Sequence, residues 1–238
     1  MSGFLGIYRQ DGAAFDERLL DGIRQRLRFR GPDAQNVFVG RDFSSCFSLL
    51  EVCEWNVFFP LAIEHSVSGL VAGRLNYETV PQDWREKLQS RMRAQHLFTL
   101  SMTAELFRIR DAFSKSHIET LLVKGPIVSF LAYGDAAMRS YVDLDLLVRH
   151  DDILSAAQQM LALGFEPAFP LAAIRAGKIP GEYLFRRPGT QRIIELHTER
   201  SFRYYPVPLP LADFFARQRL VALDGRDVPV LSLEDDGS

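Results

Sequence analysis

The segment Val142-Asp143-Leu144-Asp145-Leu146-Leu147-Val148 restricts the fold of this chain more than any other stretch. It predicts a β-strand over residues 141–148. In a strand, residues i and i+2 point to the same face, so the carboxylates of Asp143 and Asp145 project together. Their neighbours are apolar, which buries the strand on at least one side. Two like charges held that close resist joint ionisation, and a buried acid pair without compensation is costly. A hard divalent cation with oxygen ligands, Mg²⁺ being the commonest near phosphates, resolves the conflict. The other reading is a strand end whose acids cap the following helix or meet Arg149. The tripeptide alone leaves both open.

The surroundings of this strand predict a mixed α/β layout. Residues 118–123 form a β-type run that ends at Lys124-Gly125, and Pro126 suits the first turn of a helix continuing over 127–133. After the acidic strand, Asp151 or Asp152 is expected to cap a helix with Ile153, Leu154, Ala157, Met160 and Leu161 on one face, stopped by Gly164. Residues 183–186 and 192–197 read as two strands joined at Pro188-Gly189. Upstream, residues 43–116 read as helical. Asp83 is the expected N-cap of a long helix in which Trp84, Leu88, Met92, Leu100, Leu106, Ile109 and Phe113 recur at helical steps. The arginines and glutamate between them predict a packing helix with a solvated charged side. The first 40 residues read as a strand (4–8), a turn at Asp11-Gly12, a helix (16–28) and a second strand (36–39).

Two more elements carry chemistry. A strand running into a helix through Gly125 lets backbone N–H groups approach a phosphate, and Lys124 adds a positive charge for it. A plain strand-to-helix turn accounts for the same residues. Arg139 either reaches that phosphate chain or pairs with Asp135. In Arg192-Ile193-Ile194-Glu195-Leu196-His197, Glu195 and His197 share one strand face. Glu195 is a candidate third metal-binding acid, or a general base toward an attacking hydroxyl. His197 reads as a satisfied, half-buried histidine.

Taken in order, Lys124-Gly125, Arg139, Asp143-Leu-Asp145 and Glu195-Leu-His197 resemble the bacterial uncharacterised nucleotidyltransferase family of the polymerase-beta-like superfamily. The resemblance covers about 43–238, with a helical part at 43–116 and an α/β core at 118–210. It implies a small mixed sheet flanked by helices. It also implies an enzyme that moves a nucleoside monophosphate from ATP or another nucleoside triphosphate to an acceptor, a small molecule or a peptide, releasing pyrophosphate. By the same resemblance Asp143, Asp145 and Glu195 hold Mg²⁺, two ions being possible, and Lys124, Gly125 and Arg139 bind the nucleotide. Many members of the superfamily carry Gly-Ser at the phosphate turn. This chain has Gly125-Pro126, and proline offers neither hydroxyl nor N–H. A catalytically inactive nucleotide-binding or interaction module is therefore the alternative reading.

Residues 1–40 resemble another family, the class II glutamine amidotransferase domain of asparagine-synthetase-like proteins. Gly3-Phe4-Leu5-Gly6-Ile7-Tyr8, Asp11-Gly12 and Arg30-Gly31-Pro32-Asp33 carry that likeness. Ser2 stands where that family has its cysteine nucleophile, and most of that domain is missing, so no glutaminase is expected. Cyclases of that kind occur in lasso-peptide biosynthesis, which makes peptide tailoring an expected context for the acceptor. Residues 230–236 look like the entry to a further helix, so a truncated C-terminal helical part is also expected.

Composition narrows the partners. A formal charge of −2 gives no global attraction for nucleic acid or anionic membrane, which leaves transfer-RNA modification without support. Cys46 and Cys53 make neither a disulfide framework nor a zinc signature and read as reduced, buried thiols. No signal peptide or membrane-length apolar run is visible, so a cytoplasmic protein follows by elimination.

Overall fold

The computed structural model describes residues 55–78, 80–179, 181–199 and 210–232. The amidotransferase-like segment 1–40, with its expected strands and helix, lies outside the described residues, as do Cys46, Cys53 and residues 233–238.

Helices come first. α1 (Trp55–Glu64) and α2 (Ser68–Ala72) lead into the 34-residue α3 (Gln82–Lys115). The N-cap of α3 is Pro81, whose extended backbone sets the entry, and Asp83 lies inside the first turn rather than capping it. A carboxylate there still favours the positive end of the helix dipole. β1 (Thr120–Leu122), α4 (Pro126–Tyr133) and β2 (Asp143–Val148) follow. A short 3₁₀ turn leads to α5 (Ile153–Ala162). Asp152 occupies the N-cap position of α5, without a side-chain capping bond. β3 (Glu166–Pro167), α6 (Leu171–Arg175), β4 (Glu182–Arg186) and β5 (Ile193–His197) continue the chain. α7 (Leu211–Ala216), β6 (Arg219–Leu223) and β7 (Arg226–Val230) complete it.

The strands form one seven-stranded mixed sheet, in the order β3-β4-β5-β2-β1-β7-β6. β2 runs parallel to β5 and antiparallel to β1, while β7 joins β1 in parallel. The sheet is wider than the small sheet expected, because residues 211–230 supply a helix and a strand hairpin instead of a helical part alone. The cause is local: Asp224 and Gly225 both take positive φ, the backbone of a tight turn that matches the twist of two antiparallel strands.

The two faces of the sheet differ. Leu144, Leu146 and Val148 of β2 and Ile194 and Leu196 of β5 are buried against Met102, Leu106, Ile109 and Phe113 of α3 and Ala156, Ala157 and Met160 of α5. A smaller cluster of Leu121, Val123 and Leu147 with Phe214 and Phe215 covers part of the opposite face. Alternation within β2 thus divides it between a core side and a second side that carries Asp143 and Asp145. On α3, Leu88, Leu106, Ile109 and Phe113 are buried as the periodicity requires, whereas Leu100 is 59% exposed. Among the described residues no helix is long and apolar enough to cross a membrane.

Candidate active site

The parallel register sets Asp143 opposite Ile193, Asp145 opposite Glu195, and Leu147 opposite His197. Paired residues on neighbouring strands project to the same side, so Asp143, Asp145, Glu195 and His197 share one face. The third acid is therefore brought to the same face as the pair. The tightest grouping differs from the expected trio. Ligand atoms of Asp145, Glu195 and His197 lie within 4.8 Å of one another, and Asp143 stands outside that group.

Asp145 is the centre. It is 3% exposed, yet Lys124 Nζ lies 3.2 Å and His197 Nε2 3.0 Å from the same oxygen, Oδ1. Burial alone would raise its pKa, but the hydrogen bond from His197 and the charge of Lys124 outweigh this and hold it below the ordinary value. An ionised carboxylate only accepts, so His197 donates through Nε2. His197 is satisfied and half-buried as its sequence context implied, but its partner is a site acid, and Glu195 Oε2 lies 3.5 Å away. The other oxygen, Asp145 Oδ2, is buried with no hydrogen-bond partner.

The two flanking acids shift the other way. Burial raises the pKa of Asp143, and the neighbouring charge of Asp145 adds to it. Burial likewise raises that of Glu195, with further contributions from Asp145 and Asp143. Each therefore feels the negative charge already at the centre.

The turn after β1 is built against this strand. Gly125 has φ 78°, and a Cβ placed there would stand 3.0 Å from the Asp143 carbonyl oxygen and 3.1 Å from a Leu144 methyl. Only a residue without a side chain allows the turn to lie this close over β2. Pro126 occupies the first turn of α4 behind it, where its missing N–H leaves no helical bond unmade. The Val123 N–H bonds to the Asp145 carbonyl at 2.9 Å, so Lys124 emerges directly beside the acids.

Arg139 is held at the backbone, its N–H donating to Ser129 Oγ at 2.9 Å. Its exposed guanidinium has no ion-pair partner among the described residues. The expected alternative with Asp135 is not formed. Asp135 instead accepts from the Ala137 N–H and faces His96. Arg149 pairs with Glu119 and not with the strand acids, and the acids of β2 do not cap a helix.

A match to a family model, and not the mixed sheet with its strand-borne carboxylates alone, places this protein among the nucleotidyltransferases. The chain belongs to the uncharacterised nucleotidyltransferase family, whose model matches residues 52–236. No curated protein sequence matches it. Among solved structures it is similar to the lincosamide antibiotic adenylyltransferase LnuA with lincomycin bound, at a TM-score of 0.42 and 15% identity, covering 56% of this chain and 82% of that one. It is also similar to the antibiotic-resistance factor ANT(2'')-Ia, at a TM-score of 0.42 and 12% identity, covering 58% of this chain and 69% of that one.

Proposed function

We propose that this chain transfers a nucleoside monophosphate from ATP or another nucleoside triphosphate to an acceptor hydroxyl, with Mg²⁺ held by Asp143, Asp145 and Glu195. The observation that carries this reading is the buried Asp145 Oδ2, which has no hydrogen-bond partner and lies on a face shared with two further acids. A buried carboxylate oxygen left without a donor is costly, and an ionised Asp145 that raises the proton affinity of Asp143 and Glu195 beside it completes the oxygen donor set a hard divalent ion takes. When bound, such an ion supplies Lewis-acid charge toward phosphate oxygens.

The chain's own residues account for the rest. Lys124, whose side chain is 57% exposed, offers its ammonium to the triphosphate beside the acids. Gly125 brings the backbone close to the phosphates, and Arg139, without an ion-pair partner among the described residues, adds a second positive charge. His197 keeps Asp145 ionised and fixed in orientation. Glu195, on the same face as Asp143 and Asp145, accepts the proton of the acceptor hydroxyl at a carboxylate oxygen. The acceptor oxygen then bonds to the α-phosphorus, and the bond to the departing pyrophosphate breaks. The acceptor is a small molecule or a peptide, and the likeness of residues 1–40 to asparagine-synthetase-like proteins favours peptide tailoring in the cytoplasm.

Calorimetric titration of ATP with and without Mg²⁺ tests the site. Wild-type protein is expected to bind ATP at least tenfold more tightly with Mg²⁺, and D143N/D145N to lose that gain. Metal-independent binding, or an unchanged double variant, refutes the assignment. A second reading, a nucleotide-binding module without turnover, draws on Pro126, which brings no donor to the phosphate turn. Pyrophosphate release with an acceptor present separates the two.

A further inference from the structure

A cavity of about 550 Å³ opens at the end of the sheet where β2 and β5 begin. Val142 and Ile193 form its inner wall, and Ile193 is the register partner of Asp143, so the cavity reaches the edge of the acidic face. Arg186, also in the wall, pairs with Ile193 across β4 and β5. A single cross-strand row therefore runs Arg186, Ile193, Asp143, leading from the cavity to the first acid of the site.

The charge of this cavity is one-sided. Arg91, Arg186 and Arg192 line it, and among the described residues no acidic one does. Arg192 is committed to Glu105 Oε2 at 3.0 Å and to Ser101 Oγ at 3.0 Å. Arg91 and Arg186 have no ion-pair partner among the described residues, and Arg91 Nε is buried without a hydrogen-bond partner. Two guanidinium forks are thus left for a ligand, and a fork matches a carboxylate or phosphate with two parallel bonds. The remaining wall is aromatic. The Phe98 and Tyr141 rings stand 5.6 Å apart at a 57° tilt and give this side of the cavity aromatic surface.

Resting on the nucleotidyl-transfer reading, we infer that this cavity is the acceptor pocket, and that it takes an aromatic acid bearing a carboxylate or a phosphate. Its volume suits a single small organic molecule. The anionic group lies on the arginines and the ring against Phe98 and Tyr141. A hydroxyl at the far end of such an acceptor points along the cross-strand row toward Asp143 and Glu195. The arginines also keep the acceptor's charge away from the carboxylates of the site.

Calorimetry with phenyl phosphate, benzoate and neutral phenol tests this on the full chain. The two acids are expected to bind and phenol not, with the tighter acid identifying the preferred anionic group. R91Q/R186Q is expected to weaken acid binding at least tenfold while its melting temperature and its affinity for Mg²⁺ATP hold. Acid binding is expected to persist when a non-hydrolysable ATP analogue saturates the protein with Mg²⁺. Absent acid binding, or affinity unchanged by the arginine substitutions, overturns the inference. Displacement by the ATP analogue also overturns it, by giving the cavity to the nucleotide. If phenyl phosphate binds but Mg²⁺ATP does not, the nucleotidyl-transfer reading fails, and the acceptor role falls with it although the anion site stands.

Discussion

At residue 125 a single hydrogen in place of a methyl group keeps the turn after β1 over the acidic strand. Gly125→Ala imposes a left-handed backbone on a residue that resists it and a contact with the Asp143 carbonyl oxygen. The expected cost is about 2 kcal/mol of stability, read by urea denaturation. Loss of Mg²⁺ATP binding is expected even where the variant remains folded. At residue 197 the effect is electrostatic. His197→Ala removes the donor that most lowers the Asp145 pKa, so that pKa is expected to rise, as followed by carboxyl-carbon NMR. An unchanged value would mean that Lys124 alone holds the group ionised. Asp143 and Asp145 were legible because strand alternation fixes their common face without knowledge of the rest of the fold, whereas Glu195 reaches that face only through the β2–β5 register. His197 was not legible. A histidine among apolar residues reads the same whether its ring meets a core carbonyl or a site carboxylate, and only the register with β2 decides.

Among elements, α3 shows how far periodicity carries. Its apolar steps place Leu88, Leu106, Ile109 and Phe113 correctly, but its charges do not all face water. Glu105 is 2% exposed and accepts from Arg108, Arg187 and Arg192. Two of those arginines flank the β4–β5 connection, so this one carboxylate clamps the helix to the hairpin beside the cavity. Glu105→Gln leaves guanidinium groups without their counter-charge, and a loss of about 3 kcal/mol is expected in chemical denaturation. Local sequence does not mark Glu105 as buried, because two of its three partners, Arg187 and Arg192, lie more than 80 residues away. The β6–β7 hairpin differs in kind. Asp224-Gly225 between two runs rich in apolar residues is a hairpin signature that stood in the sequence. It was masked by the expectation of a helical end.

For the whole molecule, the shifted carboxylates set how stability responds to pH. Asp143 and Glu195 have folded pKa values above the ordinary 3.8 and 4.5, so their contribution is complete below those values and fades as pH climbs through the raised ones. Asp145 lies below 3.8, so its contribution is present above that value and fades as pH falls through the lowered one. Metal-free protein is therefore expected to melt highest in the weakly acidic range. Mg²⁺ is expected to raise the alkaline limb, since an ion bound only by the folded form adds stability by mass action. Scanning calorimetry across pH, with Mg²⁺ or with a chelator, checks this. Asp143→Asn should flatten the metal-free decline.

The alternation along β2 has an evolutionary corollary. Positions 144, 146 and 148, with Leu147 on the other side, hold up the fold, while 143 and 145 carry the acids, so mutations in this strand fall into two classes. A descendant of this protein can surrender its chemistry through the odd-numbered acids and still persist as a well-folded scaffold free for another use.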